Sequence, residues 1–129
     1  MKTIIIVLLI LIAFWQLSKY FPCPSWLGWM VEAENPFAKE NRSYSIIKHL
    51  NLKPNMIVAD IGCGPGRVTI PLSKKLQSPG KIVAVDLQQG MLDRLTAKAS
   101  SLKNIELRKQ DINKKPLEES HYDRILLVN

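Results

Sequence analysis

The chain contains two different hydrophobic patterns. Residues 3–18 carry no charge and are apolar on every side of a helix, whereas the remainder combines short apolar runs with amphipathic stretches. The short runs predict four strands, at residues 56–61, 81–86, 104–111 and 122–129. Elsewhere apolar residues recur at helical spacing and predict helices at residues 41–52, 67–76 and 91–102. Because strands and helices alternate, we predict an α/β fold with a parallel sheet and right-handed crossovers.

The uncharged N-terminal segment could reach most of the way across a bilayer. As a helix it would rise about 24 Å, slightly less than a hydrocarbon core of about 30 Å. Lys2 and Lys19 flank it, and aromatic residues typical of the membrane interface follow. We therefore predict a single-pass transmembrane anchor over residues 1–21, with a cleaved signal peptide as the alternative. A linker over residues 22–40 and a globular domain over residues 41–129 complete the predicted organisation.

Length, charge and cysteine content limit the classes of function. The 129 residues carry 18 Lys and Arg against 11 Asp and Glu, a net charge of +7, and these charges are scattered. A scattered excess is typical of ordinary solvated surfaces, so we expect no nucleic-acid partner. The two cysteines, Cys23 and Cys63, stand in dissimilar settings without metal-ligand spacing, so we expect neither a disulfide nor a metal site. This cysteine usage fits a reducing compartment, and we expect the domain to face the cytoplasm.

Residues 60–68, DIGCGPGRV, place three glycines directly behind the first predicted strand. In an open parallel sheet, ligands bind beyond the carboxyl ends of the strands, where glycines let the backbone approach them closely. A structural turn is the alternative for the glycines alone. Asp86 ends the second strand, 20 residues after Gly66, and can accept hydrogen bonds from two ribose hydroxyls. Asp111 ends the third and suits an exocyclic amino group, so the three strand ends together predict a pocket for an adenine nucleoside.

These residues resemble the motifs of the class I S-adenosylmethionine-dependent methyltransferases. An acid, one residue and then GxGxG, the first motif of that family, matches residues 60–66; residues 86–92, DLQQGML, are similar to the second motif, and residues 110–112, QDI, to the third. The resemblance covers about residues 40–129. It implies a Rossmann-like, doubly wound parallel sheet of seven strands in the order 3-2-1-4-5-7-6, of which this chain would hold strands one to four. The chain would then be the N-terminal part of a longer enzyme.

The resemblance also implies how S-adenosylmethionine would lie. The three glycines would face its methionine part, and Asp60 would point toward its ammonium group. Asp86 would bind the ribose hydroxyls and Asp111 the adenine amino group, with Leu87 and Ile112 on the flat of the base. The full set of candidate cofactor-binding residues is Asp60, Gly62, Cys63, Gly64, Gly66, Asp86, Leu87, Met91, Asp111 and Ile112. No catalytic residue is predicted.

The chemistry implied is methyl transfer, an in-line displacement that needs alignment and exclusion of water rather than a nucleophilic side chain. We expect a methyltransferase held at the membrane through residues 3–18, with a small-molecule or lipid-like acceptor. His49 and His121 could act as bases by their chemistry, but each is more typical of a surface or packing residue. One alternative is an NAD(P)-dependent oxidoreductase, although Arg67 stands where the last glycine of GxGxxG belongs. A second is a non-catalytic, membrane-anchored cofactor-binding fragment. The oligomeric state is not predicted.

Overall fold

The computed structural model describes residues 2–18, 24–29 and 43–127. In chain order, the elements are helix α1 (Lys2–Ser18), a 3-10 turn (Ser25–Leu27), helix α2 (Ser43–His49), strand β1 (Ile57–Ile61), helix α3 (Thr69–Leu76), strand β2 (Lys81–Asp86), helix α4 (Gln89–Lys98), strand β3 (Ile105–Lys109) and strand β4 (Arg124–Leu127). The four predicted strands are present, and β2 has the predicted bounds. Strand β3 ends two residues before Asp111, and residues 128–129 of the predicted fourth strand lie outside the described part.

The four strands form one parallel sheet in the order β3-β2-β1-β4. The register pairs Asp60 with Ala84 on β2 and with Leu126 on β4, and pairs Asp86 with Lys109 on β3. The carboxyl ends of β1, β2 and β3 therefore lie side by side at one edge of the sheet, called here the rim. This arrangement confirms the α/β, Rossmann-like fold and the predicted order of the first four strands.

The core lies between one face of the sheet and the helices α2, α3 and α4. Side chains alternate between faces along a strand, and the register puts Val58, Ile82, Ala84 and Leu126 on the same face. Apolar side chains of the three helices pack against this face, among them Ile47, Leu72, Leu76, Leu92 and Leu95. Burial of these side chains holds the strands and helices together.

The order β3-β2-β1-β4 is the beginning of the doubly wound order, and a second layer of helices stays a prediction. The helices that pack on the sheet cover one face, while Ile125 and Leu127 of β4 point to the other face and are exposed. Residues 110–123, which connect β3 to β4, form turns and no helix. The physical reason is their composition: the connection is mostly charged and polar, without the apolar repeat that a helix needs to pack on a sheet.

Helix α1 exposes nine consecutive apolar side chains, from Ile4 to Ile12, each by at least half of its surface. None of the helices in the described ranges is both long and apolar enough to cross a membrane. The described residues thus do not support the transmembrane anchor predicted over residues 1–21, of which residues 1 and 19–21 lie outside the described part. Of the predicted linker, residues 24–29 are described. The predicted domain limits stay predictions.

Candidate functional site

The glycine bend after β1 is held against β2 by its backbone. All three glycines have positive φ, with 71° at Gly62, 53° at Gly64 and 95° at Gly66. The N–H groups of Gly62 and Cys63 donate to the carbonyl oxygen of Val85, at 2.8 Å and 3.1 Å. A Cβ at Gly62 would meet no atom within 4 Å, so the backbone here borders open space that a ligand can enter.

Gly66 closes the bend against the core. Its N–H donates to the carbonyl oxygen of Cys63 at 3.1 Å, and its own carbonyl accepts the N–H of Ile70 at 3.1 Å in the first turn of α3. A Cβ at Gly66 would overlap the fully buried side chain of Leu95 and lie 3.2 Å from two carbons of Ile70. Both the backbone conformation and the packing therefore require glycine at this position.

The carboxylate of Asp86 joins two loops at the rim. Its Oδ2 accepts the N–H of Gly64 at 2.9 Å, and its Oδ1 accepts the N–H of Gln88 at 2.8 Å. A carboxylate has about four acceptor sites, so these two bonds leave capacity for two hydroxyl donors. The structure thus brings Asp86 to the glycine bend and gives it a structural role that its sequence position did not indicate.

Asp60 is a buried acid with a polar partner in the next helix. Only 3% of its surface is exposed, and the hydroxyl of Thr69 donates to its Oδ2 at 2.6 Å. Burial raises the pKa of Asp60 to about 6, while the Thr69 bond and the Arg67 cation lower it and the nearby Asp86 raises it further. Sequence reasoning missed Thr69, because a threonine in the first turn of a helix carries no motif of its own.

Asp111 lies on the same rim, two residues beyond the end of β3. The N–H of Gln110 donates to the carbonyl oxygen of Asp86 at 3.1 Å, which keeps the chain leaving β3 beside the end of β2. The Asp111 carboxylate accepts the N–H of Asn113 at 3.0 Å, and its Oδ2 lies 3.9 Å from the Lys114 ammonium. The three acids of the predicted site therefore lie at or just beyond the carboxyl ends of three neighbouring strands.

The remaining candidate side chains divide into an accessible pair and a buried pair. Leu87 is 51% exposed beside Asp86, and Ile112 is half-buried after Asp111. Cys63 and Met91 are only 6% and 3% exposed. Cys63 packs into the core, where burial raises the pKa of its thiol far above the ordinary value and keeps it protonated. Met91 is covered by residues 24–29, since a Cβ at Gly28 would lie 3.3 Å from the Sδ atom of Met91.

The structure therefore does not bring the side chains of Cys63 and Met91 to the rim. The physical reason is the same for both: each is an apolar group that packs into the interior. Sequence reasoning also missed the contact of residues 24–29 with α4, because a segment without clean periodicity gives no signal for a packing partner.

Both histidines lie away from the rim. His49 ends α2, and its Nδ1 lies 2.7 Å from the carbonyl oxygen of Ser45. The neighbouring Leu50 carbonyl accepts a bond from Arg124 at the start of β4, the opposite end of the strand from the rim. His121 also precedes β4. In the part of the chain that the structure describes, no group of three or more His, Cys, Asp or Glu could hold a metal ion. The rim therefore offers carboxylates and backbone N–H groups.

Comparison with known proteins identifies the family. The profile described as "Methyltransferase domain" matches residues 58–129, more than half of the chain. The chain belongs to the methyltransferase domain family. It is 29% identical over 82 residues to the demethylmenaquinone methyltransferase of Staphylococcus aureus (strain MRSA252), across 64% of this chain and 34% of that protein. It is 36% identical over 84 residues to the 23S rRNA (uracil(1939)-C(5))-methyltransferase RlmD of Alcanivorax borkumensis, across 60% of this chain and 18% of that protein.

A solved structure supports the same family. A SAM dependent methyltransferase from Aquifex aeolicus superposes with a TM-score of 0.67 and 29% identity, over 81% of this chain and 56% of that one. The methyltransferase domain here thus spans about a third or less of the two relatives named above and just over half of the Aquifex protein. Two predictions are confirmed at the level of the family: the enzyme class and S-adenosylmethionine as its cofactor.

Proposed function

We propose that this methyltransferase domain binds S-adenosylmethionine across the carboxyl ends of β1, β2 and β3 and transfers its methyl group. One observation carries the proposal: the 2.9 Å hydrogen bond from the Gly64 N–H to Asp86 Oδ2. This bond joins an acid suited to ribose hydroxyls to a bend whose backbone borders open space at Gly62. A nucleoside on Asp86 therefore has its amino-acid portion beside the glycines.

Each rim residue has a role that its chemistry supports. Asp86 accepts the ribose hydroxyls with the lone pairs that its two backbone donors leave. Asp111 accepts from the adenine amino group, and the exposed Leu87 covers one flat side of the base together with Ile112. Asp60 supplies negative charge for the ammonium group, since a carboxyl with a pKa of about 6 is mostly ionised at neutral pH.

The residues of this chain orient the reactants and take no covalent part. S-adenosylmethionine supplies a methyl group already activated by its sulfonium leaving group. The glycine bend and the acids hold the cofactor in one orientation, which makes the displacement effectively unimolecular. Cys63 does not attack the methyl group, because its thiol is buried and protonated. Leu87 and Ile112 exclude water from the base.

We infer that the acceptor is a small, lipid-like molecule and that the protein works at a membrane, with the domain on the cytoplasmic side. The nine exposed apolar side chains of α1 support association with a bilayer through residues 3–18, without a requirement that the helix span it. The name of the S. aureus relative, a demethylmenaquinone methyltransferase, is consistent with a lipid-like acceptor. The RlmD relative acts on rRNA by name, but the scattered charges of this chain do not favour a nucleic-acid partner.

Calorimetry on the full chain in detergent, with S-adenosylhomocysteine and with NAD as ligands, tests the proposal. We expect binding of the first ligand and none of the second. Asp86→Ala should weaken binding at least about tenfold, because each charge-assisted hydrogen bond contributes about 1.5–3 kcal/mol. Asp93→Ala removes an exposed acid of α4 that bonds to Gln89 and serves as the matched control.

Three outcomes would contradict the proposal in different ways. Equal affinities of the Asp86→Ala and Asp93→Ala variants would remove Asp86 from the site. Binding of NAD alone would favour the oxidoreductase alternative, although membership of the methyltransferase domain family speaks against it. Cofactor binding without transfer of a labelled methyl group to any lipid extract would favour the non-catalytic fragment.

A further inference from the structure

Residues 24–29, called here the tryptophan turn, have two different sides. The 3-10 turn Ser25–Leu27 continues into Gly28, whose N–H donates to the carbonyl oxygen of Ser25. Gly28 and Trp29 continue in α-helical conformation, and in both kinds of helix side chains three residues apart lie on nearly the same side. Ser25 and Gly28 therefore share one side of the tryptophan turn, and Trp26 and Trp29 share another.

The Ser25 and Gly28 side packs on α4. A Cβ at Gly28 would lie 3.2 Å from Arg94 Cδ, and a Cβ at Gly90 would lie 2.7 Å from Ser25 Oγ. Glycine at both positions permits this close approach. Gly90 stands in the first turn of α4, four residues after Asp86. The tryptophan turn is thus seated on the helix that begins at the rim.

The other side of the tryptophan turn presents two aromatic rings to the surroundings. Trp26 is 69% exposed and Trp29 is 61% exposed. Tryptophan concentrates where membrane meets water, because its ring is apolar and its N–H is polar. The turn also follows α1, whose nine apolar side chains are exposed. The excess of 18 Lys and Arg over 11 Asp and Glu, although scattered, gives the chain a general attraction to an anionic surface.

We propose that Trp26 and Trp29 dock on the interface of an anionic lipid bilayer and hold the rim at the membrane surface. The proposal rests on the proposed membrane location and names the surface of the methyltransferase domain that meets the lipid. Because the tryptophan turn packs on the first turns of α4, the rim lies within about one helix diameter, about 10 Å, of the bilayer. A lipid-like acceptor can then reach the cofactor without leaving the membrane completely.

Fluorescence quenching by brominated lipids tests the surface directly. The full chain with Trp15→Phe keeps two of its three tryptophans, Trp26 and Trp29, and is reconstituted into anionic vesicles whose acyl chains are brominated near the headgroups. We expect about a twofold loss of fluorescence relative to unbrominated vesicles, since interfacial rings contact the bromines. The control removes all three tryptophans by substitution with Phe and adds Tyr44→Trp, a probe on α2 where the native side chain is 77% exposed. Bromine should leave this control unquenched.

The proposal would be overturned if Trp26 and Trp29 were quenched no more than the Tyr44→Trp probe. It would also be overturned if the full chain did not float with the vesicles. Protection from aqueous acrylamide without bromine quenching would overturn it too, because the rings would then be covered by protein, such as a second copy of the chain. Binding of S-adenosylhomocysteine, measured on the same samples, reports separately on the proposed function. If the domain binds this ligand but its tryptophans are not quenched, the proposed docking surface is refuted and the proposed cofactor binding is not.

Discussion

The buried carboxyl group of Asp60 makes the stability of this methyltransferase domain fall as pH rises. Burial raises its pKa from 3.8 to about 6, so the folded state holds the proton more tightly than the unfolded chain. The folded state therefore binds more protons between these two values, and the free energy of unfolding decreases with pH in that window. Asp60→Asn removes the charge and keeps an oxygen that can accept the Thr69 hydroxyl.

The magnitude follows from the size of the shift. The folded and unfolded pKa values of Asp60 differ by about two units, and each unit corresponds to about 1.4 kcal/mol. The wild type should therefore lose about 3 kcal/mol from this group between about pH 3 and pH 7, and the Asn variant should not. The pKa values of Glu106 and Glu118 are lowered by their ion pairs and hydrogen bonds, so their contribution to the free energy of unfolding decreases as pH falls. Both proteins retain them, and the difference between the proteins isolates Asp60.

Urea unfolding of both proteins at intervals from pH 4 to pH 8 measures this difference. The stability of Asp60→Asn relative to the wild type should increase by about 2 kcal/mol from pH 4 to pH 7 and then level off. A difference that does not change over this range would refute the assigned pKa and its cause. The gain should come with weaker binding of S-adenosylhomocysteine at pH 7.5, because the ammonium group loses its counter-charge.

Three further predictions concern the neighbours of this acid. Thr69→Val should lower the free energy of unfolding by about 1–3 kcal/mol, because a buried carboxyl oxygen loses its donor. It should also move the pH-dependent fall in stability to higher pH. Urea titrations of this variant at several pH values measure both effects. Gly66→Ala should destabilise the domain by about 1–3 kcal/mol, because the added Cβ strains the backbone and overlaps with the core. Gly62→Ala should destabilise it less, because a Cβ there meets no neighbouring atom. Thermal unfolding compares the two variants. In a Cys23→Ser background, Cys63 should react with iodoacetamide at pH 8 only as fast as the protein unfolds, and rapid labelling of the native protein would contradict its burial.

The bounds of an element were predicted more accurately where more of its residues are buried. The bounds of β2 were predicted correctly, because four of its six residues are fully buried and the apolar run coincides with the strand. The predicted third strand was too long, since β3 is only partly buried and its polar residues continue without a break into Gln110 and Asp111. The transmembrane anchor has no support among the described residues, because α1 is uncharged from Thr3 to Ser18 but no described helix is long and apolar enough to cross a membrane.

The sequence by itself determined that a glycine bend, Asp86 and Asp111 meet at one edge of a parallel sheet, because the carboxyl ends of parallel strands lie together. Only the tertiary structure decided which atoms pair: Gly64 with Asp86, 22 residues apart, and Thr69 with Asp60, nine residues apart. It also decided that the tryptophan turn sits on α4. The physical reason is that hydrophobic periodicity reports which side of each segment is buried, whereas hydrogen-bond and packing partners depend on how separate segments are brought together.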